Sequence, residues 1–353
     1  MEHYSDITGM LELMVNPAFA VKDGLITYTN SAARNLPFAL QAPIADLLET
    51  GAEEYAQLES GCLYLTLKWE NSHFGACVSP IGDLNIFVLD PEVSQPQLQA
   101  MALAAAELRE PLGNIMLGAD RVISELQTED ETTKLFAHLL RQNVKRMHRL
   151  IGNMSDAYRY SVDTMPQQEL KDLKALFDEI FGKAQALMEG TDRQLRFTGL
   201  SESVISLADE ERLERAVHNM ISNAFKFAAP NTPVEASLTR KGDKLHLTVR
   251  NTGDSIAPRI LKTAFSRYLR KPEIEERRQG IGLGMVLIRS AAAAHGGTVL
   301  LQQPETGTQL TMTISIRKEL EGNLGSPRLR FDYAGEMDHA MIELSDILPP
   351  DLY

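Results

Sequence analysis

The sequence predicts an α+β multidomain chain: a small mixed α/β unit, an antiparallel helical hairpin, a larger α/β unit and a short carboxy-terminal extension. Three observations carry this reading. Leu63, Leu65, Leu67 and Trp69 alternate with Tyr64, Thr66 and Lys68, the two-residue period of a half-buried strand. From about 97 to 162, apolar residues recur at helical spacing in two runs separated by the turn-like TEDE. Between 213 and 315 follow a helix with a polar stripe, an alternating strand, a glycine-rich helix start and a final strand. The expected boundaries are 1–92, 93–165, 166–320 and 321–353, and 353 residues are too many for one small core.

The first unit opens with PAFAVKDGLITYTNSAARNL: an apolar strand, Gly24, a strand ending at Asn30, then a short helix at Ala32-Ala33. CLYLTLKW, ACVSP and LNIFVLD add antiparallel strands. This order resembles the start of a PAS sensor domain, although no residue set in it suggests a haem, flavin or metal site. Pro91 and EVSQPQLQ form a linker into the hairpin. Its first helix carries Leu103, Leu108, Leu112, Ile115 and Met116, and its second Leu140, Val144, Met147, Ile151 and Met154 in steps of four and three. A lone hairpin cannot bury both stripes, whereas two chains pairing as a four-helix bundle can, so a homodimer is expected. A hairpin packed only on its own neighbours is the alternative. In the extension, Met341, Ile342, Leu344, Ile347 and Leu348 are too apolar for a solvating tail and predict a short packed helix.

Composition narrows the function classes. A formal net charge of −13 repels nucleic acid and anionic lipid. No run reaches the roughly 18 to 20 apolar residues of a membrane helix, and MEHYSDITGM does not read as a signal peptide. Neither nucleic-acid binding nor membrane insertion is expected. Cys62 and Cys77 sit between small or apolar neighbours and read as reduced core thiols, consistent with a cytoplasmic location. The eight histidines show no metal-ligand spacing.

The most informative segment is LERAVHNMISNAFKF, residues 213–227. Leu213, Val217, Met220, Ile221 and Ala224 make an apolar stripe, while Asn219, Asn223 and Lys226 fall at i, i+4 and i+7 on another face. Asparagine is a poor interior helix residue because its amide competes with the backbone. The amide oxygen of Asn223 suits a hydrated divalent cation and Lys226 suits a phosphate, though a solvated polar face accounts for this segment equally well. Downstream, LHLTVRNTGD runs from a strand into a turn at Asn251-Thr252-Gly253, and Gly280, Gly282 and Gly284 lead into an apolar helix. Free amides at such a helix start can meet a phosphate.

Asn219, Asn223, Lys226 and Phe227, then Asn251 and Gly253, then Gly280, Gly282, Leu283 and Gly284, then His295-Gly296-Gly297, and finally Gly307-Thr308 resemble in order and spacing the ATPase domain of sensor histidine kinases. The resemblance covers about 150 residues and implies an α/β sandwich with ATP held between the asparagine helix and a lid. It implies that Asn223 ligates Mg²⁺, that Lys226 meets phosphate, and that Asn219, Phe227, Gly253, Ile256, Tyr268, Gly280, Gly282, Leu283, Gly284 and Thr308 line the cofactor site. Asn251 stands where the family usually has an aspartate accepting the adenine amino group, and a neutral acceptor is weaker by about 1 kcal/mol. Arg267, Arg270, Lys271, Arg277 and Arg278 of the lid read as solvated charges.

Residues 106–112, AELREPL, resemble the family's phosphoacceptor box with Ala106 in the histidine position. A methyl group cannot accept a phosphoryl group. Of the acceptor and its neighbouring acid only Glu107 remains, as the residue that would orient or deprotonate an imidazole. Glu110 replaces the Thr or Asn common in members that dephosphorylate a response regulator, and His138 and His148 read as solvated helix-face residues. Two readings follow: a kinase acting on a partner kinase subunit or another protein such as a response regulator, or a non-catalytic nucleotide-binding sensor that regulates a partner by conformational switching.

Overall fold

The computed structural model describes residues 2–36, 38–90, 95–125, 130–162, 168–253, 282–318 and 338–353. Its amino-terminal unit comprises α1 (Glu2–Glu12), β1 (Ala18–Lys22), β2 (Leu25–Thr29), α2 (Ala52–Ala56), β3 (Cys62–Trp69), β4 (Ser72–Ile81) and β5 (Leu84–Leu89). Asn30, fully buried, ties its start together. The Asn30 Oδ1 accepts from the amides of Ala18 and Ala33 at 2.9 and 3.0 Å, while Nδ2 donates to the carbonyls of Leu11 and Asn16 at 3.1 and 2.9 Å. Phe19 and Phe87 stack at 4.8 Å, and Phe38 and Tyr55 pack around them, so aromatic side chains fill this core.

The hairpin is α3 (Gln95–Glu125) against α4 (Glu131–Val162). Ala105 and Leu112 of α3 meet Val144 and Ile151 of α4, with Met116 and Met154 alongside, so one apolar stripe of each helix is consumed within the chain.

The larger unit adds β6 (Glu169–Asp172), α5 (Leu173–Met188), β7 (Leu195–Thr198), β8 (Ile205–Ala208), α6 (Glu210–Phe227), β9 (Val234–Lys241), β10 (Lys244–Asn251), α7 (Gly284–Ala294), β11 (Val299–Gln302) and β12 (Thr308–Ser315). Leu245, Leu247 and Val249 of β10 pair in register with Ile314, Met312 and Leu310 of β12. Because alternate residues of a strand face one side, these six form a continuous apolar surface, and α5, α6 and α7 bury their own apolar stripes against it. The carboxy-terminal segment contributes α8 (His339–Glu343), capped by Asp338, whose Oδ1 accepts from the Ala340 amide at 2.9 Å.

Strands of the two α/β units form one ten-stranded sheet, in the order β2-β1-β5-β4-β3-β11-β12-β10-β9-β7. The junction is a short antiparallel pairing in which Leu63 opposes Leu300 and Tyr64 opposes Val299. This corrects the expectation of a half-buried strand at 63–69 at two positions, since Tyr64 is buried and Trp69 exposed, while Leu63, Leu65 and Leu67 are buried and Thr66 and Lys68 are not. Leu63, Leu65 and Leu67 face the aromatic core of the first unit, while Cys62 and Tyr64 on the other face are buried in the core of the larger unit. A second tie fixes the same junction: Arg289 of α7 donates to Asp90 Oδ1 at 2.6 Å, and Tyr64 Oη donates to Asp90 Oδ2 at 3.1 Å. Asp90 immediately follows β5 on the way to the hairpin, so the first unit is tied to the middle of α7 at the point where the chain leaves it.

Candidate functional site

Helix α6 is set by its ends and by its amphipathic pattern. Asp209 caps it, accepting from the Arg212 amide at 3.1 Å, and Glu210 and Glu211 complement the helix dipole in the first turn. The Asp209 amide donates to Nε2 of His295 at 3.0 Å, and Nδ1 of His295 lies 2.7 Å from the Ala291 carbonyl. That pairing fixes a neutral imidazole with its proton on Nδ1, and burial depresses its pKa to about 4. The His295 element of the sequence pattern thus joins the start of α6 to the end of α7.

The structure places Asn219, Asn223 and Lys226 along one side of α6, and most of that side is covered. Asn219 is buried, its Oδ1 accepting from Arg149 Nη2 at 3.2 Å and its Nδ2 donating to the Arg215 carbonyl at 2.8 Å. A Cβ at position 284 would lie 2.8 Å from Asn219 Oδ1, so glycine there lets the start of α7 close on α6. Asn223 is half-buried, with Nδ2 3.7 Å from the sulfur of Met285, and Lys226 pairs with Asp346. Phe227, at the end of the helix, is exposed.

The far end of the sheet presents a different surface. Asn251 at the end of β10 and Thr308 at the start of β12 are register partners, both buried. Neither Asn251 Nδ2 nor Thr308 Oγ1 has a hydrogen-bond partner among the described residues. Buried polar groups are ordinarily satisfied, so an amide and a hydroxyl left open side by side suit a heterocycle bearing both donors and acceptors. Gly253 locks this corner to α6: a Cβ there would lie 2.0 Å from the Phe227 carbonyl oxygen, and the Ala229 amide donates to the Thr252 carbonyl at 2.6 Å.

Other residues of the sequence pattern fall elsewhere. Leu283 is buried with Val286 against Leu98 and Ala157 of the hairpin, and Gly282 precedes it at φ +82°. Ala106 and Glu107 are exposed on α3. Ile256, Tyr268, Gly280 and the lid cations lie outside the described residues.

Sequence reasoning missed the charged network that covers α6. Glu343 of α8, with no exposed side-chain surface, accepts from Arg215 Nη1 at 2.6 Å and from Arg149 Nε at 3.3 Å. Arg215 also meets Asp156 at 2.7 Å and Asn153 at 2.8 Å on α4. Asp346 takes the Ser222 hydroxyl at 3.0 Å and pairs with Arg149 and Lys226. Burial raises the pKa of Asp346, but the two cations outweigh it and hold the carboxyl below its usual range. Gln142 and Arg146 of α4 donate to the carbonyls of Leu348 and Ser345 at 2.5 and 2.9 Å. Ile342, Leu344, Ile347 and Leu348 are buried beneath. At about 1.5–3 kcal/mol for each such side chain, their burial holds the segment as part of the core.

Residues 208–318 match the family described as histidine kinase-, DNA gyrase B- and HSP90-like ATPase, so this part of the chain is an ATPase domain of that kind. Sensor histidine kinase CusS of Escherichia coli (strain K12) is 26% identical over 213 residues, covering 60% of this chain and 44% of the relative. Sensor-like histidine kinase SenX3 of Mycobacterium tuberculosis (strain H37Rv) is 24% identical over 217 residues, 61% of this chain and 52% of the relative. Among solved structures, full-length ShkA in complex with AMPPNP aligns with a TM-score of 0.49 at 20% identity, over 63% of this chain and 47% of that one. The chain spans about half the length of the curated relatives it matches.

Proposed function

We propose that this chain is an ATP- and Mg²⁺-binding signal-transduction protein that cannot phosphorylate itself at the family's usual position. The observation that carries the nucleotide reading is the pair of buried, open polar atoms on Asn251 and Thr308, at neighbouring strand ends of an ATPase-family sheet and beside the end of α6. Asn251 and Thr308 would take the adenine, Asn223 would hold Mg²⁺ through its amide oxygen, and Lys226 would meet phosphate. Bound Mg²⁺ would supply charge neutralisation at the phosphates. Titration of Mg·ATP into the full chain tests this. Asn223→Ala is expected to weaken binding at least about tenfold, a loss of about 1.4 kcal/mol; equal calorimetric affinity in the two proteins would remove Asn223 from the site.

Ala106 favours a second reading, a non-catalytic nucleotide-dependent switch. Incubation with γ-labelled ATP and candidate response regulators separates the two: label on a regulator identifies a kinase acting on a partner, whereas bound nucleotide with no transferred label identifies the switch. The order of strand, Gly24 turn, strand, Asn30 and short helix in the structure supports a PAS-like unit at 1–92 as the sensing part. Asn30→Ala removes the tie at the start of that unit and leaves β3 and Asp90 in place; a folded variant that responds to partners and nucleotide as wild type does would contradict that role. Among the described residues no helix is long and apolar enough to cross a membrane, and with buried free thiols at Cys62 and Cys77 this supports a cytoplasmic location, which cell fractionation tests.

Leu108, Ile115 and Val122 of α3 are exposed at seven-residue spacing, and Phe136, Leu140 and Met147 of α4 are exposed as well. A second copy pairing through these stripes as a four-helix bundle would bury them. Light scattering at micromolar concentration is expected to give twice the 39.2 kDa chain mass; a species of the chain mass alone would count against the homodimer.

A further inference from the structure

We infer that Arg149, Ser222 and Lys226 form a phosphate subsite of the nucleotide pocket, and that Asp346 of the chain's own carboxy-terminal segment fills it when no nucleotide is bound. The inference rests on the ATP-binding reading above. Three donors from two elements converge on one carboxylate: Arg149 from α4, and Ser222 and Lys226 from α6, with the Ser222 hydroxyl 3.0 and 3.2 Å from the two carboxylate oxygens. A guanidinium, an ammonium and a hydroxyl around one anion are the donor set that also suits a phosphate oxygen. Arg149 Nη2 donates in addition to Asn219 Oδ1 at 3.2 Å, which ties this anion position to the asparagine side of α6.

Burial distinguishes the two acidic groups of the segment. Glu343 has no side-chain exposure and is held by Arg215 and Arg149, whereas Asp346 keeps a fifth of its side chain exposed. The apolar residues around them remain in the core, so release of the whole segment is not required. A local opening of the turn that carries Asp346, held by the Ser345 and Ile347 amides, would hand Arg149, Ser222 and Lys226 to the incoming phosphate, and the arginine would bring a hairpin residue into contact with the nucleotide. Nucleotide affinity would thereby report the position of α4 relative to the ATPase domain.

The test compares wild type with Asp346→Asn, which keeps the size of the side chain and removes its charge. Mg·ATP is expected to bind Asp346→Asn about tenfold more tightly than wild type, the order expected for freeing charge-assisted donors. Adenosine, which has no phosphate, is expected to bind both equally, and adding Arg149→Gln to Asp346→Asn is expected to abolish the gain. Equal or weaker Mg·ATP binding by Asp346→Asn, or the same gain for adenosine, would overturn the inference. Should the variant lose the wild-type thermal transition, backbone hydrogen exchange in wild type gives an independent answer. The amides of Ser345 and Ile347, which donate to the Ile342 and Leu344 carbonyls at 3.2 and 3.0 Å, are expected to lose protection with saturating Mg·ATP but not with adenosine, and unchanged protection would overturn the proposal. Wild type that binds Mg·ATP through Asn223 with no effect of Asp346→Asn refutes this inference alone. Absence of Mg·ATP binding in both proteins refutes it together with the nucleotide reading.

Discussion

Glu343→Gln is expected to destabilise the ATPase unit by about 3 kcal/mol, the low end of the range for removing one partner from a buried ion pair. Neither Glu343 nor Arg215 has exposed side-chain surface, so water cannot replace the lost charge. Arg149 loses the same partner, at 3.3 Å. Asp156 still faces Arg215 and Asp346 still faces Arg149, which keeps the effect at that low end. For a unit of this size the thermal midpoint should fall by roughly 6–12 °C. Asp83→Asn breaks the exposed Lys22–Asp83 pair and should leave the transition in place. If the two variants melt alike, the network over α6 contributes nothing to stability.

Ala106→His is expected to convert a chain that acquires no phosphoryl label into one that does. Ala106 is exposed on α3, so an imidazole there displaces no packed atom, and Glu107 beside it is exposed as well. Leu283 and Val286 of the ATPase domain already pack on Leu98 and Ala157 of the hairpin, so the two parts are docked. An error of about an ångström in placing the reacting groups can cost about 100-fold in rate, so the signal is expected to be small. Acid-labile, base-stable label should appear in Ala106→His and be absent from wild type and from Ala106→His with Asn223→Ala. Label on wild type would identify another acceptor, with His138 and His148 the first to substitute.

What the sequence revealed were features written into single elements. The two hairpin helices, the stripe of α6 and the alternation of β10 each follow from the period of their own residues. The sheet junction was invisible because β3 and β11 lie far apart in the chain and pair through backbone groups that leave no residue signature. Asn219, Asn223 and Lys226 were legible as one face of α6; what covers that face was not. Arg149, Arg215, Glu343 and Asp346 each look like ordinary surface charges until α4, α6 and the carboxy-terminal segment are brought together. A signal was nonetheless present. Gln142, Arg149, Asn153 and Asp156, all buried, recur at steps of seven, four and three along α4, a polar stripe separate from the one that meets α3. Glu343 and Asp346 likewise interrupt the apolar run MIELSDIL, where a solvating tail would have no apolar partners.

Photolabelling with 8-azido-ATP in the presence of Mg²⁺, followed by mapping of the modified peptides, tests the central claim most directly because it reports where the adenine sits. The expected adducts fall in residues 251–256 or at Thr308 and disappear when unlabelled ATP is added in excess. Adducts that ATP suppresses but that map only to other parts of the chain would contradict the assignment of the site between α6 and the strand ends at Asn251 and Thr308.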